Sequence, residues 1–276
     1  MRTRTRRRPD WKLSSALGIV TLVFLAPLLW VLLLALRPQS EALSSSPLPS
    51  VLTLENLHRA LSRGSLVDLT QNSTILCVAV CLVVVPLSLL AGYAFARFRF
   101  KGRNLLLFVF MFSLAVPGLV NLIAIYQFYA VAGLINNPLG LIMVDVAAAL
   151  PLATWLIRSF VLSIPVDMEE AATIDGCSRL GAAVRILLPL TGPVVAAVLV
   201  IVFVTTWQEF IVAQTLMSDP SMGVVSQGLL AMQGEYSTDM TGLAAGAVFI
   251  SVVPVALFLL LQRRFVDGMT AGAQTG

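Results

Sequence analysis

Six apolar stretches alternate with polar segments along the 276-residue chain. Each stretch has about 20 residues or more, which as a helix rising 1.5 Å per residue matches a hydrocarbon core of about 30 Å. The pattern therefore predicts an all-α membrane protein with six transmembrane helices. The predicted spans are residues 16–36, 72–95, 105–131, 139–160, 194–217 and 241–261.

Residues 165–190 form the longest polar interruption in the second half of the chain. Pro165 ends the preceding helix, and Asp167 with Glu170 has the form of a helix N-cap and its reciprocal partner. Gly176 then predicts a break, after which apolar residues recur at helical spacing until Pro189. These apolar residues are Leu180, Val184, Leu187 and Leu188. The pattern predicts two short helices that meet at a glycine and lie at a membrane surface.

Composition supports a membrane protein, because hydrophobic residues make up 58% of the chain and charged residues 12%, against about 25% charged in soluble domains. The three cysteines are an odd number, and Cys77 and Cys81 lie inside an apolar run. We therefore expect core thiols instead of a disulfide framework.

The net charge of +4 is explained by topology, because the basic residues cluster beside apolar spans. With both termini in the cytoplasm, 15 of the 18 basic residues fall on the cytoplasmic side, and Arg37, Arg59 and Arg63 fall outside. This bias gives no reason to expect a nucleic-acid partner. The chain then divides into a basic cytoplasmic segment 1–15, a membrane domain 16–265 and a cytoplasmic tail 266–276.

The sequence lacks the motifs of an enzyme. It has no glycine-rich phosphate loop of the form G-x-x-x-x-G-K-[ST], so we do not expect it to hydrolyse ATP itself. The single histidine, His58, has no partner at metal-ligand spacing and is expected to be a solvated surface residue. We therefore predict no catalytic residue, no metal and no cofactor, and expect a partner to supply energy.

Two ionisable residues, Asp145 and Glu209, lie inside predicted spans, where a charge costs at least about 2.5 kcal/mol unless it faces a cavity or a partner. Each either contacts a translocation path or makes a structural hydrogen bond with a neighbouring helix. The interruption of span three at residues 117–118, close to Asn121, either lines the path or is an ordinary proline kink. Both alternatives stay open at this point.

The polar segment 165–190 resembles the signature loop of the membrane subunits of ABC importers. The matching residues are Glu170, Ala171, Ala172, Gly176, Ile186, Leu188 and Pro189, with the spacing of that loop intact. The resemblance implies the type I ABC importer permease fold, in which these residues form cytoplasmic coupling helices between spans four and five that dock on an ATP-hydrolysing subunit. An amphipathic connector between two spans is the alternative.

Further stretches resemble sugar-importing permeases. Residues 206–210 are similar to an aromatic and acidic segment of the fifth span in that group, with Gln208 where Asn is commoner. Residues 262–273 resemble the tail of the shorter permease of maltose-type importers, with Asp267 where a basic residue is commoner. Residues 91–103 resemble the cytoplasmic loop between spans two and three. The candidate residues of a substrate path are Asn121, Asp145, Trp207 and Glu209.

The resemblance implies a permease subunit of an ATP-driven carbohydrate importer, multi-pass in the bacterial inner or plasma membrane. Its partners would be a second, different permease, two cytoplasmic ATP-binding subunits that bind the ATP, and an extracytoplasmic sugar-binding protein. The alternatives are an importer of glycerol-3-phosphate or glycerophosphodiesters, although the spans contain no basic group for an anionic substrate apart from Arg158, which is counted with the cytoplasmic basic residues, and an amino-sugar importer, in which Asp145 or Glu209 would supply the counter-charge. A membrane-embedded enzyme and a purely structural assembly subunit are the rivals from other classes.

Overall fold

The computed structural model describes residues 11–62, 66–116, 118–233 and 239–273, and within these ranges the chain is helical with connecting loops and no β-strand. The remaining residues, which include most of the basic segment 1–15, Arg63, Pro117 and the last residues of the tail 266–276, lie outside the described ranges. The helices are α1 Trp11–Ala35, α2 Glu55–Ser62, α3 Leu66–Arg97, α4 Arg103–Ala115, α5 Gly118–Ala132, α6 Pro138–Ser163, α7 Asp167–Ile174, α8 Arg179–Ala182, α9 Leu188–Leu190, α10 Gly192–Trp207, α11 Ile211–Leu216, α12 Val225–Ala231 and α13 Met240–Ala273.

Among the described residues, four helical stretches are long and apolar enough to cross a bilayer, and the number rises to six if each of two bent helix pairs is one span. The four stretches are Ser14–Ala35, Leu66–Arg97, Pro138–Ser163 and Met240–Gln262. The all-α membrane class is confirmed. The number of spans reaches the predicted six when each bent pair counts as one crossing, but the second pair covers Ala183–Leu190 and Gly192–Trp207, whereas the fifth span was predicted at residues 194–217.

The third predicted span is one of these bent pairs. Helices α4 and α5 meet at a bend of 102°. Each is about 20 Å long at 1.5 Å per residue, which is shorter than the hydrocarbon core. The interruption predicted at residues 117–118 is therefore far sharper than a kink, and α5 begins at Gly118, where no side chain restricts the backbone.

The predicted helical run through the polar segment does not end at Pro189. The chain passes from α8 through a turn of π-helix, Ala183–Leu187, into α9, where Pro189 occupies the first turn. A proline is tolerated there because its missing N–H would have no intrahelical acceptor. The segment Ala183–Leu190 then meets α10 at 60°.

The fifth predicted span, residues 194–217, is also interrupted. Helix α10 ends at Trp207, and α11 begins four residues later at Ile211. No proline or glycine lies between them, so the interruption has a cause other than a helix-breaking residue. At this interruption the side chain of Glu209 accepts hydrogen bonds from the first amides of α11, as described with the candidate site.

The chain forms two compact units, one from residues 1–64 and 231–249 and the other from residues 65–230 and 250–276. In the second unit α3, α6 and α10 pack on one another. Their buried contact residues include Val80, Val84, Ile157, Val161, Val198 and Val202. Gly92 of α3 permits the close approach to α6, because a Cβ atom there would lie 2.8 Å from the Cγ2 atom of Ile157 and 3.0 Å from the backbone nitrogen of Arg158.

In the first unit, the segment after α1 is held by Arg37, which is only 2% exposed. Its guanidinium donates to the backbone oxygens of Glu41, Ser44 and Ser46 at 3.4, 3.3 and 2.6 Å. The Asn56 side-chain amide donates to the backbone oxygen of Arg37 at 2.7 Å. The polar loop predicted after span one is therefore folded around the Arg37 guanidinium, to which its backbone carbonyl groups bind.

The same unit pairs Arg59 of α2 with Asp239, with 3.5 Å between Nη1 and Oδ2. Asp239 also accepts a hydrogen bond from the backbone N–H of Gly242 at 2.9 Å, at the start of α13. His58 is exposed, as predicted for a solvated surface residue. Within the unit, this ion pair joins α2 to the beginning of α13.

Candidate functional site

Helix α7 carries the Glu170-Ala171-Ala172 sequence on the polar segment between α6 and α10. Val166 is the N-cap and no side chain caps the helix, so the prediction of Asp167 as N-cap was wrong. Asp167 is instead the first helical residue, and with two glutamates it places negative charge in the first turn. That charge stabilises the helix through interaction with the N-terminal dipole.

The C-terminus of α7 is closed by Gly176, whose φ of +89° lies in the left-handed region. The N–H of Cys177 donates to the backbone oxygen of Ala172 at 2.9 Å, and the N–H of Gly176 donates to that of Thr173 at 3.1 Å. This pair of bonds is a Schellman motif, which requires a residue that accepts a positive φ. A break at Gly176 is present, and it is a turn closed by two backbone hydrogen bonds.

The seven residues matched to the signature loop differ in exposure. Ala172 is buried and Ile186 is half-buried. The others are exposed: Glu170, Ala171, Gly176, Leu188 and Pro189. The exposed members are available to a partner, whereas Ala172 holds α7 against the rest of the second unit.

Sequence reasoning passed over Ile174, the most exposed large apolar residue of α7 at 86%. Met168 in the same helix is 43% exposed. Ile174 lies three residues after Ala171 and four after Glu170, so helical spacing alone places it on the same exposed face. The exposed face of α7 therefore carries an apolar side chain beside Glu170.

A buried ion pair fastens α7 to the end of α3. The Nε atom of Arg97 lies 2.6 Å from Oε1 of Glu169, and the two side chains are 10% and 13% exposed. The Tyr93 hydroxyl donates to the second carboxylate oxygen at 3.2 Å. Arg97 also donates through Nη2 to the backbone oxygen of Ile164, the residue that follows α6, at 2.9 Å. We call Tyr93, Arg97 and Glu169 the clamp.

The clamp was missed in the sequence because Arg97 fitted the positive-inside pattern and Glu169 stands beside the more familiar Glu170. Its two charged members are 72 residues apart, and no local spacing rule connects them. A removal of either partner would leave the other charge buried. The clamp therefore ties the position of α7 to the ends of both α3 and α6.

The second unit also contains a cavity of about 200 Å³ between α6 and α10, closed at one side by α4. Its walls are mostly apolar. The polar lining residues are Asp145, Thr205, Thr206 and Glu209, and the apolar ones are Leu114, Ala148, Ala149, Leu152, Ala153, Leu156, Val198, Ile201 and Val202. No lysine, arginine or histidine is among the described residues that line it.

Asp145 is 6% exposed, and its Oδ2 atom is buried without a hydrogen-bond partner among the described residues. Leaving a buried polar atom unpaired costs about 1–3 kcal/mol, and more for a charged group. Asp145 lies seven residues into α6, about 10 Å from the beginning of that helix. Its unpaired oxygen is therefore buried in the first third of α6, at an energetic cost.

Glu209 lines the same cavity, but both of its carboxylate oxygens have donors. Oε1 accepts from the backbone N–H of Val212 at 2.6 Å and Oε2 from that of Ala213 at 2.8 Å, at the start of α11. These bonds satisfy N–H groups that the interruption of the span would otherwise leave unpaired. Of the two alternatives left open, the structural hydrogen bond is present, and it is made to the next helix of the same span.

The other two predicted path residues lie elsewhere. Trp207 is buried and stacks on Phe203, with 5.7 Å between ring centroids. Asn121 is exposed on α5. Neither is among the described residues that line the cavity.

The described residues contain no group of three or more side chains that could hold a metal ion. Cys77 and Cys81 are buried in α3 as free thiols, as predicted, and Cys177 is a half-buried free thiol beside Gly176.

Residues 84–271 match the model of the family described as "Binding-protein-dependent transport system inner membrane component". The chain is 32% identical over 265 residues to the sulfoquinovosyl glycerol transport system permease protein SmoH of Agrobacterium fabrum, covering 95% of this chain and 92% of that protein. It is also 32% identical to the trehalose/maltose transport system permease protein MalG of Thermococcus litoralis, covering 94% of each.

The fold is similar to a chain in a solved structure of a bacterial ABC transporter involved in the import of the acidic polysaccharide alginate. The TM-score is 0.73 at 19% identity, and the match covers 96% of this chain and 99% of that chain. The fold of the chain is therefore one already seen in a solved ABC transporter structure.

Proposed function

Because the chain belongs to the family of binding-protein-dependent transport system inner membrane components, we propose that it is one permease subunit of an ATP-driven importer of carbohydrates. As a member of that family it is a transport component and not an enzyme. It contributes helices to the translocation path and couples them to ATPase subunits in the cytoplasm.

The observation that carries the coupling role is an exposed helix fastened to core spans by a buried ion pair. The exposed face of α7 offers Glu170, Ala171 and Ile174 to a partner. The clamp connects Glu169 of the same helix to Arg97 at the end of α3. A displacement of α7 by an ATPase would therefore move α3 and α6 with it, as a rigid-body change of the packed spans.

The orientation follows from charge. With 15 of 18 basic residues on one side, the positive-inside rule puts both termini and α7 in the cytoplasm. The partners are then a second, different permease, two cytoplasmic ATP-binding subunits and an extracytoplasmic sugar-binding protein, in a bacterial inner or plasma membrane. The dependence on a binding protein that the family's name states supports the last of these.

A carbohydrate substrate is supported by the relatives named for trehalose, maltose and sulfoquinovosyl glycerol transport. Their substrates differ, so the names do not choose the sugar. The alternative of a glycerol-3-phosphate importer is not favoured, because the lining of the cavity offers two carboxylates and no described basic side chain. Asp145 and Glu209 are the residues that we place on the path.

The test is reconstitution of the chain in proteoliposomes with its second permease, its ATPase and its binding protein. ATP turnover is measured with maltose, trehalose, sulfoquinovosyl glycerol and glycerol-3-phosphate. We expect one of the neutral sugars, maltose or trehalose, to stimulate turnover and to be taken up, and both effects to require every component. The sulfonate of sulfoquinovosyl glycerol is an anion, which a lining with two acidic and no described basic side chains disfavours. Stimulation by glycerol-3-phosphate alone, or none by any binding-protein ligand, would contradict the proposal.

The coupling assignment is tested in the same vesicles with Glu170→Lys, which reverses an exposed charge on α7. Uptake should fall although the complex inserts normally. The matched control is Glu55→Lys, which reverses an exposed glutamate of α2 in the other unit and should leave uptake unchanged.

A further inference from the structure

The cavity between α6 and α10 contains a buried carboxylate oxygen without a hydrogen-bond partner. Neither the proposed coupling role nor the folding of the helices explains it. Glu209 is held by two backbone N–H groups at the start of α11, but Oδ2 of Asp145 has no donor among the described residues. Asp145 lines the cavity, and only 6% of its surface is exposed. A buried polar atom in that position is satisfied either by ordered water or by a group of a molecule that enters the cavity.

The chemistry of the remaining lining restricts what that molecule is. Thr205 donates its hydroxyl to the backbone oxygen of Ile201 at 2.8 Å, which leaves its oxygen as an acceptor towards the cavity. Two acidic side chains and no described basic side chain line the cavity, so the lining offers hydrogen-bonding oxygens and no positive charge to an anion. The apolar walls suit the C–H face of a sugar ring.

Size restricts the ligand further. The cavity has a volume of about 200 Å³, below the roughly 300–1,000 Å³ of pockets that hold complete drug-sized ligands. It has room for one ring of a carbohydrate and not for an oligosaccharide. The rest of a longer substrate would lie outside it.

We propose that this cavity is a subsite for one non-anionic sugar ring, in which Asp145 accepts a hydrogen bond from a ring hydroxyl. The inference rests on the proposed function and goes beyond it, because it assigns a ligand contact to Asp145 and the charge selectivity of the path to Asp145 and Glu209. Anionic sugars such as uronates are excluded from the subsite by Asp145 and Glu209 together.

The experiment uses the assembled transporter with Thr205→Cys as a reporter in the cavity, after Cys77→Ala, Cys81→Ala and Cys177→Ser remove the native thiols. The reporter is labelled with two methanethiosulfonates of similar size, one carrying a trimethylammonium group and the other a sulfonate. Each rate is divided by the rate of the same reagent with a free thiol in solution. The normalised ratio of cation to anion rates reports the charge that a ligand meets.

We expect this ratio to be well above one, and to fall about tenfold with Asp145→Asn, which keeps the shape of the side chain and removes its charge. The matched control is Thr154→Val on the same helix, a residue that is 1% exposed and is not among those that line the cavity. It should leave the ratio unchanged. The expectation that the ratio is above one is tested without a substitution at Asp145. It can therefore be checked even if the Asp145→Asn variant does not assemble.

A second measurement tests the ligand. The panel sugar that is taken up should slow the labelling of Thr205→Cys, and Asp145→Asn should abolish that protection while Thr154→Val keeps it. A ratio near or below one, a reporter that neither reagent reaches, or protection that survives Asp145→Asn would each overturn the subsite. A complex that shows the charge selectivity but imports no sugar would contradict the proposed function. It would leave the charge selectivity of the cavity in place.

Discussion

Arg97 joins three parts of the second unit through one guanidinium, since it pairs with Glu169 and donates to the backbone oxygen of Ile164. Loss of one partner of a buried ion pair costs about 3–5 kcal/mol, because the other charge stays buried and unpaired. Coupling by α7 should therefore depend on the pair as a unit and not on either residue alone.

We predict that Arg97→Glu lowers sugar-stimulated ATP turnover about tenfold or more, because it places two carboxylates together at the clamp. Glu169→Arg should have a similar effect. The double variant Arg97→Glu with Glu169→Arg restores opposite charges and should recover most of the turnover. The measurements are ATP turnover, sugar imported per ATP and the yield of assembled complex. Normal turnover in both single variants would count against the clamp.

Ile174 provides a second prediction at the residue scale, because 86% of its surface is exposed on the face of α7 that carries Glu170. Ile174→Asp should weaken the association of the permease with its ATPase about tenfold, since an apolar contact at an interface would be replaced by a charge. Co-purification of the ATPase through a tag on the permease measures this.

Leu43→Asp is the matched control for Ile174→Asp, because Leu43 is 93% exposed and lies in the other unit. Its substitution should leave the amount of ATPase recovered unchanged. Equal recovery of the ATPase with Ile174→Asp would place the interface elsewhere on the chain.

At the scale of elements, the packing of α3 against α6 depends on Gly92. A side chain there would meet a branched side chain and a backbone nitrogen of α6, and the backbone cannot move aside. We predict that Gly92→Leu lowers the melting temperature by roughly 2–12 °C, the effect of about 1–3 kcal/mol of overpacking. Thermal unfolding in detergent measures it. Gly18→Leu is the control, because no atom lies within 4 Å of a Cβ at that position, and an equal loss there would refute the explanation.

The long spans could be predicted from the sequence, but the breaks within spans were predicted only in part. Residues 117–118 predict the interruption between α4 and α5, because Pro and Gly both disfavour a helix. The angle of 102° between the two helices depends on packing and could not be predicted. The interruption after Trp207 contains no such residue. Glutamate is a good helix former, so its use as an acceptor for the N–H groups of α11 could not be read from local propensity.

The candidate site was predicted in the same uneven way. Asp145 and Glu209 stand out because charged residues are rare inside spans, and the structure brings both to one cavity. Trp207 came from a resemblance in residues 206–210, and its ring packs on Phe203 instead. The clamp joins residues far apart in the chain, and a single sequence carries no signal for such a pair.

At the scale of the whole molecule, the orientation in the membrane makes a prediction that the native cysteines can test. Cys177 is half-buried beside Gly176, while Cys77 and Cys81 are buried in α3. A membrane-impermeant maleimide should therefore label the unmodified chain at Cys177, and only from the cytoplasmic side. Labelling of inside-out and right-side-out vesicles, followed by mass spectrometry, measures this. Modification from the outer side would reverse the topology.

The bonds between Glu209 and the first amides of α11 also make the electrostatics of the cavity depend on a helix of six residues. If α11 frays, the carboxylate loses its amides and becomes a bare anion next to Asp145. The field inside the membrane then changes although no residue of the wall has been replaced. Substitutions in α11 would thus change which solutes enter the cavity by changing its charge, while the shape of the cavity stays the same.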